Sequence, residues 1–516
     1  MSVIPFTNEP LTDFSDPRNQ ETFRTALDKI RGEFGRHWDL LIDGQRITTE
    51  KVIKSFDPAS PGTSVGTVGK ATREIAEKAI NSAYDTFESY WRWTDPNLRA
   101  RILLKAAKLL RTRKHEFSAM MVFEESKNWV EADADTAEAI DFLEFYGREM
   151  MRLGGAQPVV PYNGEDNNLY YLPLGPIVVI PPWNFPLAIM AGMTTAALVT
   201  GNTVVLKPAS AAPVIAARFI DLLLEAGLPA RVINFCPGSG GEVGDTLVGH
   251  PKTRGIAFTG SKEVGLHIHE LAAKVQPGQH WIKRTILEMG GKDALIVDAS
   301  ADPDYAAEQA VLGAFGFQGQ KCSACSRLII EESLYDTVVA KVVERAKNLE
   351  VAHPSGNPNM GAVIDAAALE KIKQYINFAK EDGGKLECGG GTLDGGFFME
   401  PTVFSNVGEN HRIAQEEIFG PVLACIKAKD FDHAVKIFNG TEFGLTGGLI
   451  SNDRERLERA RFELHAGNLY LNRKITGALV GVQPFGGFNM SGTDSKAGGQ
   501  DYLLLFMQGK SVAERW

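Results

Sequence analysis

Long helical patterns dominate the first third of the chain. Four segments carry apolar residues at helical spacing and predict helices over residues 24–34, 72–90, 97–110 and 116–145. Between the first two, Asp43-Gly44 lies between short apolar runs and predicts a hairpin over residues 40–46. We therefore expect this part of the chain to be mostly helical.

From Gly175 onward, short continuous apolar runs alternate with amphipathic helices. The predicted strands are PIVVI, TVVLK, VINFC and GIAFTG, with helices over residues 187–200, 214–226 and 262–274. A second series begins near Ile286, with strand candidates DALIVD, RLIIEE, PVLACIKA, GGLIS and GNLYLN. Strands that are apolar throughout are buried on both faces, so the pattern predicts an α/β protein built on parallel sheets.

Two further segments predict strands outside these sheets. Residues 157–172 read as a two-stranded ribbon that bends at Asn163-Gly164, and the segment from Pro484 ends in a mostly apolar, strand-like tail. An isolated ribbon is marginal in water, so it is expected to lean on another surface such as a second subunit. The sequence therefore predicts a homo-oligomer.

Length, charge and cysteine content narrow the possible classes of protein. A chain of 516 residues exceeds one core and indicates about three domains. The net charge of −10 argues against nucleic acid or an anionic membrane as a partner. The start of the chain lacks the basic and apolar regions of a signal peptide, and five mostly isolated cysteines suit a reducing compartment. These features predict a cytoplasmic location.

One segment is long enough to cross a membrane. Residues 167–206 contain no Asp, Glu, Lys or Arg, but Pro181, Pro182 and Pro186 would break a spanning helix. The segment is better interpreted as a buried strand, a sharp turn and a buried helix, and no membrane association is expected.

The candidate nucleophile is Cys322, in the run GFQGQKCSACSRL at a predicted helix-to-strand junction. Only a thiolate is a good nucleophile, and the neighbouring Lys321 is expected to favour it. Cys322 could instead be a buried hydrophobe, or half of a redox pair with Cys325. A zinc site would need further ligands at close spacing, and no second pair is present, so no metal is expected.

Polar residues follow the predicted strands, where parallel α/β sheets bind ligands. Asn184, Lys207 and Glu288 each lie just beyond a strand. The run PGSGGEVG could approach a phosphate or be an ordinary tight turn, and Ser261 could contact a phosphate or only cap a helix. Alone, Glu288 would more often be a surface carboxylate than a base.

Six runs, in this order, resemble the aldehyde dehydrogenase superfamily: PWNFP, KPA, FTGS, LEMGGK, QGQKC at residues 318–322, and EEIFGP. The resemblance covers nearly the whole chain. The runs GFQGQKCSACSRL and RKITGALVGVQPFGGFNMSGT are similar to the branch that oxidises L-glutamate γ-semialdehyde, the 1-pyrroline-5-carboxylate dehydrogenases of proline catabolism.

The resemblance implies two doubly wound, Rossmann-like parallel-sheet domains and a small β flap for oligomerisation. The implied dinucleotide-binding domain spans residues 1–153 and 173–287, the catalytic domain 288–483, and the flap 154–172 and 484–516. It also implies that proline dehydrogenase, the upstream enzyme, is a separate protein, because a chain of this length has no room for a second enzyme.

The chemistry of aldehyde oxidation explains the residues that the resemblance selects. Attack by a thiolate gives an oxyanion from which hydride leaves readily, and the resulting thioester must be hydrolysed with the help of a base. The resemblance implies that Cys322 is the nucleophile and Glu288 the base. It implies that the amide of Asn184 and the Cys322 N–H stabilise the oxyanion.

The resemblance also implies a cofactor and a substrate site. Residues implied to line the NAD site are Ile180, Pro182, Trp183, Lys207, Ser210, Gly240, Gly244, Phe258, Ser261, Val264, Glu417 and Phe419. Many NAD-specific relatives have glutamate where this chain has Ser210, and serine cannot repel a 2′-phosphate, so NAD with some tolerance of NADP is expected. Residues implied to bind the substrate are Ser323, Gly477, Ala478, Phe185, Phe485 and Glu138.

Alternatives stay open at this point. Thr476-Gly477 could be only a loop bend, and Phe185 and Phe485 could be core aromatics. The enzyme could oxidise another semialdehyde such as succinate semialdehyde, although the glycines of residues 474–487 leave room for an amino-acid head group. A CxxC thiol-disulfide oxidoreductase and a non-catalytic binding protein are the alternatives of other classes.

Overall fold

The computed structural model describes residues 5–516. Its α-helices are α1 Pro17–Arg31, α2 Arg73–Ser89, α3 Pro96–Thr112, α4 Lys114–Glu124, α5 Trp129–Leu153, α6 Ala188–Val199, α7 Pro213–Glu225, α8 Asp245–Gly249, α9 Lys262–Ala273, α10 Pro303–Phe315, α11 Tyr335–Lys347, α12 Ala366–Glu381, α13 Arg412–Gln415, α14 Phe431–Asn439 and α15 Arg454–Glu463.

Its strands are β1 Arg36–Trp38, β2 Leu40–Ile42, β3 Gln45–Ile47, β4 Val52–Asp57, β5 Ser60–Gly69, β6 Glu165–Pro173, β7 Ile177–Ile180, β8 Val204–Leu206, β9 Ile233–Phe235, β10 Gly255–Thr259, β11 Arg284–Glu288, β12 Ala294–Val297, β13 Arg327–Glu331, β14 Lys385–Cys388, β15 Thr392–Leu393, β16 Phe398–Met399, β17 Thr402–Val407, β18 Val422–Ala428, β19 Phe443–Gly444, β20 Thr446–Ile450, β21 Asn468–Leu471, β22 Phe488–Asn489 and β23 Met507–Arg515.

The first large sheet has seven strands in the order β11-β10-β7-β8-β9-β2-β3. The strands from β11 to β9 are parallel, and the β2–β3 hairpin joins them antiparallel. Adjacent residues of β7 face opposite sides of the sheet, because Val179 lies in one hydrophobic core and Val178 in another. Helices thus cover both faces of this sheet, as the continuous apolar strands predict.

The second large sheet also has seven strands, in the order β14-β17-β18-β13-β12-β20-β21. All its neighbouring pairs are parallel except β14 with β17. Leu328 and Ile329, which are adjacent on β13, again lie in different clusters. The predicted α/β architecture with two parallel-sheet units is therefore confirmed, and a smaller sheet β1-β5-β4 packs beside the first.

The predicted boundary between the two series needs a correction. The second series was expected to start near Ile286, but β11 contains that residue and pairs with β10 at the edge of the first sheet. The second sheet begins with β12. The domain limits derived from the sequence stay predictions. The limit between the dinucleotide-binding and catalytic domains, at residue 287, falls within β11.

The single helix predicted over residues 116–145 is wrong. The chain forms α4 and α5, and Ser126 between them has a left-handed backbone with φ 59°. Asn128 starts α5 by accepting a hydrogen bond from the Glu131 N–H. Both helices are buried, so apolar residues continue at helical spacing through the break. The spacing of apolar residues therefore did not reveal where α4 ends and α5 begins.

The predicted ribbon over residues 157–172 is also wrong in its pairing. Gly164 does bend the chain, with φ 83°, but the strand after it, β6, pairs antiparallel with β23 at the chain's end over nine residues. Only one bridge, Gln157 to Leu169, joins the two predicted arms. The strand partner is thus more than 300 residues away in sequence, which local turn signals do not indicate.

The uncharged segment 167–206 forms β6, β7, α6 and β8, as its prolines predict. Asn202 at its end is fully buried and accepts hydrogen bonds from the N–H groups of Leu174 and Gly175. Within residues 5–516, no helix has the length and apolar character needed to cross a membrane.

Candidate active site

A strained turn carries Cys322 from α10 towards β13. Phe317 and Gln318 both have left-handed backbones, with φ 49° and 55°. Such a conformation costs about 1–3 kcal/mol for a residue other than glycine and persists only where the surroundings enforce it. The Gln318 side-chain amide does so by donating to the carbonyls of Ser126, at 3.0 Å, and Ala362, at 2.8 Å.

The turn brings Cys322 beside the end of β7. The Asn184 side chain is buried and donates one N–H to the Gln320 carbonyl at 3.0 Å. Its second amide hydrogen stays available, and Cys322 is half-buried. The residues predicted as nucleophile and oxyanion donor are therefore brought near each other, with the Asn184 amide held by the Gln320 carbonyl, two residues before Cys322.

The expected effect of Lys321 on Cys322 is wrong. The Lys321 ammonium pairs with the carboxylate of Glu131, at 2.7 Å from each oxygen. Burial instead raises the pKa of the Cys322 thiol, and the negative charges of Asp293, Glu417 and Glu288 raise it further. A hydrogen bond from the Ser323 N–H has the opposite, smaller effect. The isolated protein therefore holds Cys322 as a neutral thiol at pH 7.

Glu288 is the last residue of β11 and is buried, which excludes the surface-carboxylate interpretation. Burial raises its pKa to about 7, although hydrogen bonds from Ser495 and the Gly487 N–H lower it. A carboxylate of this pKa is half-deprotonated at neutral pH, which suits a general base. Glu288 faces Cys322 closely enough to raise the pKa of the thiol.

A carboxylate and two aromatic rings line one side of the crevice. Glu417 accepts a hydrogen bond from the Gly291 N–H at 3.1 Å, and a Cβ on Gly290 would lie 2.2 Å from its other oxygen. The rings of Trp183 and Phe419 meet edge to face with centroids 5.5 Å apart. Phe419 also has a left-handed backbone, with φ 62°, which is a further strained residue at the crevice.

A lysine and a glycine lie together at the ends of β8 and β9. A Cβ on Gly244 would lie 3.5 Å from Cε of Lys207, and burial lowers the pKa of this lysine. Gly240 begins a five-residue π-turn that precedes α8, and its missing side chain faces open space. Ser210 is exposed in the turn between β8 and α7.

The remaining predicted cofactor residues lie at the ends of β7 and β10 and at the start of α9. Ser261 caps this helix by accepting a hydrogen bond from the Val264 N–H at 3.4 Å. Val264 itself is 47% exposed, Ile180 and Phe258 lie in one buried core cluster, and Pro182 is half-buried. A dinucleotide site combines such apolar surface with a few polar groups that fix the orientation of the ligand.

Aromatic rings lie near the turn that carries Cys322. The rings of Phe185 and Phe317 lie 6.3 Å apart, and the buried Lys127 ammonium lies 4.0 Å from the Phe185 ring centre. Ser323 and Phe485 are half-buried. Lys127 is paired with Asp135, whose carboxylate also accepts the Ala188 N–H at the start of α6.

The turn at Gly477 is held by a residue that sequence reasoning missed. The Arg473 guanidinium donates to the carbonyls of Thr476, at 2.9 Å, and Gly477, at 3.2 Å. With φ 79°, Gly477 has a backbone that suits glycine. This arrangement turns the carbonyls of Thr476 and Gly477 towards Arg473.

Glu138 lies on α5 and is half-buried. Burial raises its pKa to about 8, and the negative charge of Asp135 contributes. Without a bound cation the carboxyl is therefore mostly neutral at pH 7, and an incoming ammonium group would favour its ionised form.

Cys325 is placed differently from Cys322. It is only 1% exposed, lies in the core of the second sheet, and its thiol donates to the Arg327 carbonyl. All five cysteines are free thiols. In residues 5–516 there is no group of three or more His, Cys, Asp or Glu side chains positioned to hold a metal ion.

Comparison with known proteins agrees with this geometry. The sequence model of the aldehyde dehydrogenase family matches residues 45–512. A 1-pyrroline-5-carboxylate dehydrogenase of Geobacillus kaustophilus is 58% identical over 513 residues, which are 99% of each chain.

Solved structures give the same result. The 1-pyrroline-5-carboxylate dehydrogenase from Thermus, crystallised with bound NAD, superposes with a TM-score of 0.98 at 51% identity over 100% of both chains. Proline utilization A (PutA) from Bdellovibrio bacteriovorus is 44% identical with a TM-score of 0.97, over 99% of this chain and 53% of that one. The predicted aldehyde dehydrogenase fold is therefore confirmed, and the chain belongs to the aldehyde dehydrogenase family.

Proposed function

We propose that this enzyme oxidises L-glutamate γ-semialdehyde, formed by hydrolysis of 1-pyrroline-5-carboxylate, to L-glutamate with NAD⁺. The observation that carries the proposal is the convergence of a half-buried thiol, a buried amide and a carboxylate of pKa about 7 in one crevice. Relatives named 1-pyrroline-5-carboxylate dehydrogenase match this chain from end to end, which supports the choice of substrate.

The reaction divides among Cys322, Asn184 and Glu288. The Cys322 thiol first releases its proton to solvent, and the resulting thiolate adds to the aldehyde carbon. The Asn184 amide and the Cys322 N–H hold the oxyanion that forms. Loss of hydride from that carbon leaves a thioester, and a bound NAD⁺ supplies the chemistry of accepting the hydride. Glu288 then takes a proton from water as its oxygen attacks the thioester, and Cys322 leaves as the thiolate.

The cofactor would be held along the ends of β7 to β10. We assign Lys207 and Glu417 to the ribose hydroxyls, since an ammonium donates to and a carboxylate accepts from such groups. Gly240, Gly244 and Ser261 would lie by the phosphates and adenosine. Ile180, Pro182, Trp183, Phe258, Val264 and Phe419 would supply the apolar walls.

The substrate's α-carboxylate would sit on the N–H groups of Gly477 and Ala478 and the Ser323 hydroxyl. Arg473 supports this assignment because it binds the carbonyls of the same turn. Phe185 and Phe485 would flank the aliphatic stem. Glu138 would meet the ammonium group, whose charge favours ionisation of a carboxyl with a raised pKa.

The first prediction concerns turnover with 1-pyrroline-5-carboxylate. We expect the wild-type enzyme to reduce NAD⁺ with this compound and Cys322→Ala to be inactive. Asn184→Ala should lower kcat by about 10²–10³-fold, the usual effect of losing one oxyanion donor. NADH absorbance at 340 nm measures each rate.

Cys325→Ser is the matched control, because Cys325 is a core thiol three residues away from the nucleophile. It should retain activity, whereas a thiol-disulfide oxidoreductase would lose it. Faster oxidation of succinate semialdehyde than of L-glutamate γ-semialdehyde would contradict the proposed substrate.

The second prediction concerns the cofactor. Exposed Ser210 offers no negative charge against a 2′-phosphate, so NADP⁺ should be used, with a lower kcat/KM than NAD⁺. Ser210→Glu should lower kcat/KM for NADP⁺ at least 10-fold, because the new carboxylate repels the 2′-phosphate. The value for NAD⁺, which lacks that phosphate, should stay within about threefold. A negligible wild-type value with NADP⁺ would contradict this tolerance.

The β6–β23 ribbon supports a homo-oligomer. Near it, Val160 is 89% exposed, Tyr162 69% and Trp516 81%. Large apolar side chains that stay exposed next to the ends of one ribbon are typical of an interaction surface. We therefore propose that the predicted flap, residues 154–172 and 484–516, joins subunits. We also propose that residues 1–153 and 173–287 form the dinucleotide-binding domain and residues 288–483 the catalytic domain.

The third prediction tests that interface by light scattering. The wild-type protein should have a molar mass at least twice the 56.2 kDa of one chain. Val160→Lys together with Tyr162→Lys should lower that mass by placing charges in the interface. Ile282→Lys, at a residue 91% exposed outside the ribbon, is the control and should change nothing. A wild-type mass of one chain would contradict the proposal.

Two further assignments complete the proposal. We place the enzyme in the cytoplasm, where five free thiols would remain reduced.

We also propose that the oxidation of proline itself is carried out by a separate protein. The match to the Thermus protein over all of both chains supports this, since that protein is named 1-pyrroline-5-carboxylate dehydrogenase alone.

A further inference from the structure

The Glu288 carboxylate is held by the loop of residues 485–495. Its Oε1 accepts hydrogen bonds from the Ser495 hydroxyl, at 2.5 Å, and the Ser495 N–H, at 3.3 Å. Its Oε2 accepts the Gly487 N–H at 3.3 Å. Among residues 5–516, Ser495 is the one side chain that donates to this carboxylate.

The loop is fixed to the strand that ends in Glu288. The Met289 N–H donates to the Ser491 carbonyl at 2.7 Å, and the Thr493 N–H donates to the Leu287 carbonyl at 2.9 Å. A Cβ on Gly486 would lie 3.1 Å from Oε1, so this glycine lets the backbone approach the carboxylate. The position of Ser495 relative to the base is therefore rigid.

Three titratable side chains face Glu288. The Lys496 ammonium favours its ionised form but is itself occupied by the carbonyls of Gly467 and Gly486 and by Asp494. Cys322 and Tyr502 are neutral at pH 7, because burial raises the pKa of both. The hydroxyl of Ser495 is thus the strongest local group that favours the carboxylate over the carboxylic acid.

We propose that Ser495 is a positioning residue that keeps the Glu288 base ionised and oriented for hydrolysis of the acyl group on Cys322. This inference rests on the proposed function of Glu288. The hydroxyl donates to the ionised carboxylate, and a hydrogen bond to the charged form lowers the pKa of the carboxyl. Removing the hydroxyl raises that pKa, and the base then works only at higher pH.

The test uses p-nitrophenyl acetate, which needs neither NAD⁺ nor the proposed substrate. Cys322 attacks the ester carbonyl and p-nitrophenolate leaves, which gives acetyl-Cys322. After excess ester is removed, water attacks the thioester, Glu288 takes the proton, and acetate and the free thiol result. Intact-mass measurement of the lost acetyl group gives the rate of this step between pH 5.5 and 9.5.

The fourth prediction is the pH profile of this rate. In the wild-type enzyme the rate should rise with a midpoint near pH 7. In Ser495→Ala the midpoint should move up by about one pH unit, as expected for losing a hydrogen bond to a charged group. The rate should then be about fivefold lower at pH 7 and equal to that of the wild type at pH 9.5.

Ser495→Thr, which keeps the hydroxyl, should restore the wild-type midpoint. Ser118→Ala is the matched control, because it removes a buried hydroxyl that forms hydrogen bonds with the Thr136 hydroxyl and the Lys114 carbonyl. It should leave the pH profile of acetyl hydrolysis unchanged. Ser495→Gly repeats the test if the alanine variant does not accumulate.

An unchanged midpoint in a folded Ser495→Ala or Ser495→Gly would overturn the inference, as would failure of threonine to restore it. The two proposals fail separately. A shifted acetyl-hydrolysis profile without oxidation of 1-pyrroline-5-carboxylate would reject only the substrate, and oxidation without the shift would reject only the role of Ser495.

Discussion

Two hydrogen bonds from the Gln318 side chain hold the turn on which the active site depends. They fix consecutive left-handed residues, Phe317 and Gln318, against the carbonyls of Ser126 and Ala362. Ser126 is itself left-handed and separates α4 from α5, so the break in the helical region and the turn before Cys322 stabilise each other. The cost of this backbone strain is met in part by the contact of Gln318 with Ser126, nearly 200 residues away in sequence. The turn then brings the Gln320 carbonyl to the Asn184 amide, two residues before Cys322.

Burial rather than ion pairing sets the charge of the reactive groups. It raises the pKa of Cys322, of Glu288 to about 7, and of Glu138 to about 8, while Lys321 is paired with Glu131. Glu288 and Glu138 therefore sit close to a change of protonation at neutral pH, where the arrival of a charged ligand shifts them most, whereas the Cys322 thiol stays neutral. Perturbed pKa values gathered in one crevice are typical of a catalytic site.

Much of this arrangement could be predicted from the sequence, and the features that were missed are ones that local patterns do not carry. Continuous apolar strands revealed both parallel sheets, and the order of six motifs revealed the family. The break at Ser126 was missed because two buried helices keep one apolar period, and the pairing of β6 with β23 because their contact is distant in sequence. Arg473 and Ser495 were missed because each acts through a hydrogen bond that no local spacing indicates.

The central claim is that oxidation proceeds through an acyl group on Cys322 that Glu288 removes. Glu288→Gln keeps the shape of the base but cannot accept a proton, so mixing it with 1-pyrroline-5-carboxylate and NAD⁺ should trap the intermediate. We predict one NADH per active site and a glutamyl adduct on the peptide that contains Cys322, seen by mass spectrometry at low pH. NADH formation with that peptide unmodified, or an adduct on another cysteine, would contradict the account.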